Sequence, residues 1–204
     1  YQRYGLKIQR EGMTGGTQFD QAPVSTETPE FKSWFGSSKV IDDADGKPLV
    51  AYHGTNADIE AFSPGNDGAI WFSSSPQVAA DYGGATYPSY LKMENPFVFE
   101  LKATPIKMTA GGWSVRISDP VLGNRLHRET FGTKAEAADA AHDVNVTRGI
   151  MDRAVEKARQ EGHDGVIFRS VDDSTGAERV RSDIFAVFAP EQIKSAIGNR
   201  GTFD

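Results

Sequence analysis

The sequence predicts an α+β domain with several short strands and few short helices, and three observations predict it. Apolar runs of strand length recur between Gly, Pro, Asn and Asp turns, as in LVAY (49–52), AIWF (69–72), FVF (97–99), VIF (166–168) and IFAVF (184–188). Helical periodicity is sustained over several turns at 147–161, where Ile150, Met151, Ala154, Val155 and Ala158 share one face and Gly162 follows as a stop. No period of 20 to 50 residues recurs in the chain, which excludes a solenoid.

Composition narrows the class. At 204 residues, 38% hydrophobic and 25% charged, the chain can bury one core, so one domain carrying an insertion is expected. A formal charge of −6 argues against general attraction to phosphate backbones, although a local basic groove is compatible with it. The absence of cysteine removes disulfides, thiolate chemistry and the usual zinc sites. The apolar run DIFAVF at 183–188 is far short of the roughly 20 residues that a membrane helix needs, so no membrane partner is expected. A chain that begins at Tyr1 and ends in GTFD reads as a piece of something longer.

Taken in order, residues 1–27 are polar and aperiodic and read as a linker or N-terminal arm; 28–204 read as the folded domain. Thr28 offers an N-cap with Pro29 at the first helical position, opening a short helix through EFKSWFG with Phe31 and Trp34 on its buried face. Asp45-Gly46 is a hairpin signal between candidate strands 38–41 and 49–53, which would leave His53 at a strand end. GAIWFSSSPQVAADYGG reads as strand, turn and helix, with Ser75 as N-cap, Pro76 behind it and Gly83-Gly84 as the stop. SYLKMENPFVFEL is a strand region broken at Asn95-Pro96.

Residues 104–146 read as a ββα insertion: WSVRISDPVLGNRLHRETF alternates like a hairpin, and Thr133 and Glu136 form a capping box ahead of a helix. DGVIFRSV and SDIFAVF are two strands separated by the polar loop DDSTGAERVR. APEQIKSAIG reads as a helical turn with Pro190 at its start.

Several chemistries lack a foothold. There is no P-loop, no G-x-G-x-x-G, no G-x-S-x-G and no H-E-x-x-H, and His53, His127, His142 and His163 have no metal-ligand spacing, so no metal is expected. His53 alone reads first as a satisfied turn histidine, and Trp71 and Tyr82 alone read equally well as core aromatics. Their order and spacing change that reading. YHGT at 52–55 is followed by GAIWF, and Tyr82 lies eleven positions beyond Trp71.

This ordered set resembles the core of ADP-ribosyltransferases of the His-Tyr-Glu type, the branch that includes diphtheria toxin and the poly(ADP-ribose) polymerases. It is most similar to the ADP-ribosyltransferase domain of phage polyvalent proteins, in TPEFKSWFG, VAYHGT, DGVIF and the closing QIKSA with its GTFD end. The resemblance implies a split, mixed β-sheet core with NAD, as co-substrate, in the cleft between its halves. It implies that His53 bonds a ribose hydroxyl of NAD, and that the His53-Gly54-Thr55 segment lies along the cofactor. The Gly54 backbone would meet the nicotinamide carboxamide where a Cβ would obstruct it. Trp71 and Tyr82 would flank the nicotinamide ring.

An acid is also implied, to stabilise the ribosyl cation formed as nicotinamide leaves. Here the sequence departs from the pattern, because the position falls on or beside Ile184 and the nearest acids are Asp183 and Glu178. Asp183 could serve with a one-residue shift, but alternate faces along a strand then require a bulge or a strand start beside it. Glu178, Arg179 and Arg181 are candidate acceptor-reading residues in the preceding loop. The expectation is therefore a mono-ADP-ribosyltransferase, a phage or mobile-element effector or toxin acting in a bacterial host cytoplasm. Its acceptor is expected to be a host protein, with nucleic acid left open. The alternatives are an inactive NAD-fold binding module, and an NAD glycohydrolase.

Overall fold

A computed structural model describes residues 24–175 and 179–197. Helix α1, Pro29–Phe35, opens where Thr28 accepts from the Phe31 N–H at 3.1 Å, and Pro29 adds a preset φ at its first position. Its buried pair is Phe31 with Phe35, one turn apart; Trp34 is half-buried and its indole N–H donates to the Glu191 carbonyl at 3.0 Å. The Asp45-Gly46 turn forms, but the segment before it is not a strand. Only an isolated bridge, Ile41 to Pro48, closes the loop, while Val40 turns into the core.

Strand β1 is Val50–Thr55, β2 Ile70–Ser73, helix α2 Pro76–Ala80, β3 Ala85–Leu91 and β4 Phe97–Glu100. The expected strand end at His53 moves to Thr55, because β3 continues to supply partners through His53↔Tyr87, Gly54↔Thr86 and Thr55↔Ala85. His-Gly-Thr is thus extended strand and not a turn. Next come β5 Lys102–Lys107, β6 Trp113–Asp119, β7 Gly123–Leu126 and helix α3 Lys134–Asp143, which carries both bonds of its capping box. Helix α4 is Arg148–Gln160, followed by β8 Gly165–Asp172 and β9 Arg181–Val187. After a 3-10 turn, Pro190–Gln192, the expected helical turn gives way to β10, Ile193–Ser195.

Seven strands form one mixed sheet in the order β10-β3-β1-β2-β9-β8-β4, in which only the β4–β8 pair is parallel. One face buries Phe99, Val166, Phe168, Ile184 and Ala186 against Met151, Ala154, Val155 and Ala158 of α4. The other face buries Ala51, Ile70, Phe72, Leu91, Ile167, Phe185 and Val187. Alternation along β8 and β9 distributes successive apolar side chains to the two faces.

The sheet is weakest between β1 and β2. They share a single register pair, Tyr52↔Ser73, whereas β1 and β3 share six. The half β10-β3-β1 therefore parts from the half β2-β9-β8-β4 beyond Tyr52, and backbone on the parted edge is left facing a cleft.

A second sheet, β5-β6-β7, packs on α3 through Val115, Ile117 and Ala137. Its hairpin and helix agree with the expected ββα pattern, and β5 adds an edge strand to it. Pro105 weakens the sequence signal for β5, yet an edge strand tolerates a residue with no N–H. Among the described residues no helix is long and apolar enough to cross a membrane.

Candidate active site

Where β1 and β2 part, a cavity of about 210 Å³ opens, bordered by His53 and Gly54 of β1, Trp71 and Ser73 of β2, Tyr82 beyond α2, and Ile184 of β9. Four residues singled out in the sequence for the cofactor thus meet at one place. His53 does a second job there. Its Nδ1 lies 2.7 Å from the Trp71 carbonyl, so the side chain bridges the two halves where the backbone ladder has stopped. A carbonyl can only accept, so Nδ1 carries the proton and Nε2 is left as an acceptor. Phe62 and Phe72 pack on the ring at centroid distances of 5.4 Å each and fix its orientation.

Gly54 is required by packing as well as by access. A Cβ there would stand 1.6 Å from the Ala79 carbonyl oxygen, so the backbone of α2 already occupies the space. That contact brings α2, and Tyr82 just past it, against β1. Thr55 does not border the cavity; its hydroxyl accepts from the Ala57 N–H at 3.0 Å and turns the chain out of β1.

Trp71 and Tyr82 both border the cavity, and their rings are not in contact with each other. The Trp71 ring stacks on Phe168 at 5.8 Å, with the Arg148 guanidinium 4.5 Å from its centroid. Its indole N–H donates to Asp67 at 2.8 Å, and Asp67 also receives Arg148 at 2.6 Å. The tryptophan is therefore held by an acid and a cation that a phenol in its place would meet differently. The Tyr82 hydroxyl donates to the Asp173 carbonyl at 3.1 Å, and burial holds this phenol well above its ordinary value. It remains a protonated donor at any physiological pH.

Asp183 is placed elsewhere. Ile184 faces the cavity, so its neighbour Asp183 points to the other side of the sheet. A bulge does occur here, but on the partner strand: Phe168↔Ile184 and Val171↔Ser182 leave Arg169 and Ser170 opposite the single residue Asp183. Its carboxylate accepts from Arg169 at 2.5 Å and from the Ser170 N–H at 2.9 Å. Ser170 has φ 52°, left-handed for a residue with a Cβ, and Asp183 holds it there. Because the bulge is on β8, the alternation of β9 is undisturbed and no shift brings Asp183 round to the cavity.

Of the acceptor-reading candidates, Arg181 is committed to the fold. It donates to the Ser170 carbonyl at 2.9 Å and to the His142 and Val144 carbonyls at 2.8 and 3.1 Å, closing the C-terminal end of α3. Arg179 is exposed, 3.6 Å from Asp172. Glu178 lies outside the described residues.

The structure also brings in two residues that the sequence reading passed over, Arg148 at the start of α4 and Asp173 just after β8. The available signals were the paired acids Asp172-Asp173 ending an apolar strand, and a cation at the first position of an amphipathic helix. Burial raises the Asp173 carboxyl above its ordinary value, against the pull of Tyr82 and Arg148. Among the described residues no group of His, Asp and Glu is placed to hold a metal ion.

No curated protein and no solved structure is similar enough to this chain to match it. Residues 43–203 do match a family, described as ADP-ribosyltransferase in polyvalent proteins, and they include the parted strands, the cavity and every residue named above as bordering it. With that match over most of its length, on a split mixed sheet, the chain belongs to the ADP-ribosyltransferase family of polyvalent proteins.

Proposed function

We propose that this chain is a mono-ADP-ribosyltransferase that binds NAD in the cavity between β1 and β2 and passes its ADP-ribosyl group to a macromolecular acceptor. One observation carries the reading: His53, Gly54, Trp71 and Tyr82 converge on one cavity at the point where the sheet parts. With Nδ1 tied to the Trp71 carbonyl, Nε2 accepts from a ribose hydroxyl. The backbone of β1 beyond Tyr52 meets the carboxamide, and the Trp71 and Tyr82 rings border the nicotinamide. Each aromatic contact of this kind is worth about 0.5–1.5 kcal/mol beyond burial.

Ile184 at the cavity supports transfer of a single unit, since chain elongation is the activity tied to an acid at that position. The acceptor is a protein of a bacterial host, modified in its cytoplasm by a phage or mobile-element effector. The exposed Arg179 and the unit formed by β5–β7 and α3 are the places to look for acceptor contacts.

The same apolar Ile184 favours a second reading, a module that keeps NAD binding without chemistry. Nicotinamide release from NAD, with and without bacterial lysate, separates the two. Release that depends on lysate, with label transferred to a macromolecule and lost in His53→Ala and Tyr82→Ala, is the expected result. Binding without release selects the module; release that needs no acceptor selects glycohydrolysis.

A further inference from the structure

The cavity contains an acid in a place that the sequence pattern does not indicate. Among its described lining residues Asp173 is the one carboxylate; Ile184, at the strand position that faces inward, offers only hydrocarbon and is 2% exposed. Asp67, the other acid beside Trp71, already receives the indole N–H and the Arg148 guanidinium. Asp183 is clamped on the far face of the sheet.

Asp173 is also held in position. Its preceding residue exchanges two bonds with Asn145: the amide donates to the Asp172 carbonyl at 2.6 Å, and the Asp172 N–H donates back at 3.1 Å. Its own carbonyl receives the Tyr82 hydroxyl, and two residues on the Thr175 N–H donates to Asp81 at 2.9 Å. Two separate segments, Asn145 ahead of α4 and Asp81-Tyr82 at the end of α2, thus pin the backbone around this side chain. The same hydroxyl that fixes Tyr82 beside the cavity fixes Asp173 there too.

We propose that Asp173 supplies the carboxylate that faces the ribosyl cation, in the place that Ile184 leaves apolar; this rests on the NAD-transferase reading above. In the step, the bond between ribose C1′ and the nicotinamide ring nitrogen breaks, and its electron pair leaves with nicotinamide, which becomes neutral. The positive charge passes to the ribose as an oxocarbenium ion, opposite the Asp173 carboxylate. A lone pair of the acceptor then forms the new bond to C1′, and the acceptor's proton passes to Asp173 and on to water. A half-buried carboxylate at the wall of a largely apolar pocket exerts its field on that cation with less screening than in bulk water, with Arg148 as the opposing cation in the same lining. Burial raises the carboxyl, in keeping with a group whose charge is stabilised when a cation forms beside it.

The test is Asp173→Asn in the full chain, read by NAD binding in calorimetry and by nicotinamide release in the presence of lysate. The expected result is a release rate lower by about 100-fold or more, the scale for removing one electrostatic stabiliser of a transition state. NAD affinity should stay within about 3-fold, roughly 0.7 kcal/mol, which also shows that the variant is folded. Release at the native rate overturns the proposal. So does loss of NAD affinity in parallel with rate, because the carboxylate would then be holding the ground state or the fold. A native chain that binds NAD and never releases nicotinamide instead overturns the transferase reading, and the proposal with it.

Discussion

The two faces of the sheet at β9 treat neighbouring residues in opposite ways. On the far face Asp183 has its charge met by Arg169 and by the N–H of the left-handed Ser170, and its backbone is tied to Ser74 on both sides. On the cavity face Ile184 is buried hydrocarbon, the β1–β2 ladder has stopped, and Asp173 sits where burial disfavours its charge. The far face is saturated and stabilises the fold. The cavity face leaves groups under-used, and those are the ones available to a ligand. An acid's presence near a motif is therefore a poor guide to its task; the face it occupies and what already binds it decide.

The sharpest way to break this comparison is Gly54→Ala. A methyl aimed at the Ala79 carbonyl must displace the backbone of α2, at a cost of about 3 kcal/mol, the upper part of the range for overpacking. Thermal unfolding should shift down and NAD binding should be lost with it; a variant of native stability would mean that α2 is not seated on β1. Next is Asp183→Ala, which takes away the shorter of the two Arg169 ion pairs, leaving Asp43 at 3.4 Å, together with the acceptor of the Ser170 N–H, and should cost about 1.5 kcal/mol in denaturant unfolding. If the far face is purely structural, NAD affinity per folded molecule stays native. A selective loss of turnover with unchanged stability would put Asp183 back among the reacting groups.

Trp71→Phe keeps a flat ring but removes the bond to Asp67, and should weaken NAD binding by about 1 kcal/mol, read by calorimetry. An unchanged affinity would show that the indole N–H is not needed to orient the ring. The smallest effect is one of sign. The folded-state pKa of Asp173 is raised, so its protonated form is favoured in the fold. That stabilisation is full below the ordinary value of 3.8 and is lost as pH rises through the raised one. Asp173→Asn should therefore melt slightly above the native chain at neutral pH, with the difference closing in acid. A lower melting temperature at neutral pH would mean that Asp173 is a structural acid like Asp183.

Local chemistry carried much of the fold into view. Thr28-Pro29, Ser75-Pro76 and the Thr133/Glu136 box opened helices where their side chains could satisfy free N–H groups, a matter of a few adjacent residues. The face of α4 and the apolar runs of β8 and β9 were legible because burial imposes its period on the sequence. The ordered spacing of His53, Gly54, Trp71 and Tyr82 was legible because all four fall within one stretch of the chain, residues 53–82.

What the sequence left open was whatever depends on a partner strand. β1 extends past His53 only because β3 is beside it, and β5 and β10 are strands only because β6 and β3 offer them an edge. The position of the acid belongs to the same class. Whether Asp183 reaches the cavity turns on which strand carries the bulge, and whether Asp173 does turns on Asn145 and Tyr82, each more than 25 residues away in the chain. Alternation along one strand can be read from the residues themselves, but which of its faces meets the cleft is set by long-range pairing, and only the tertiary structure decided that.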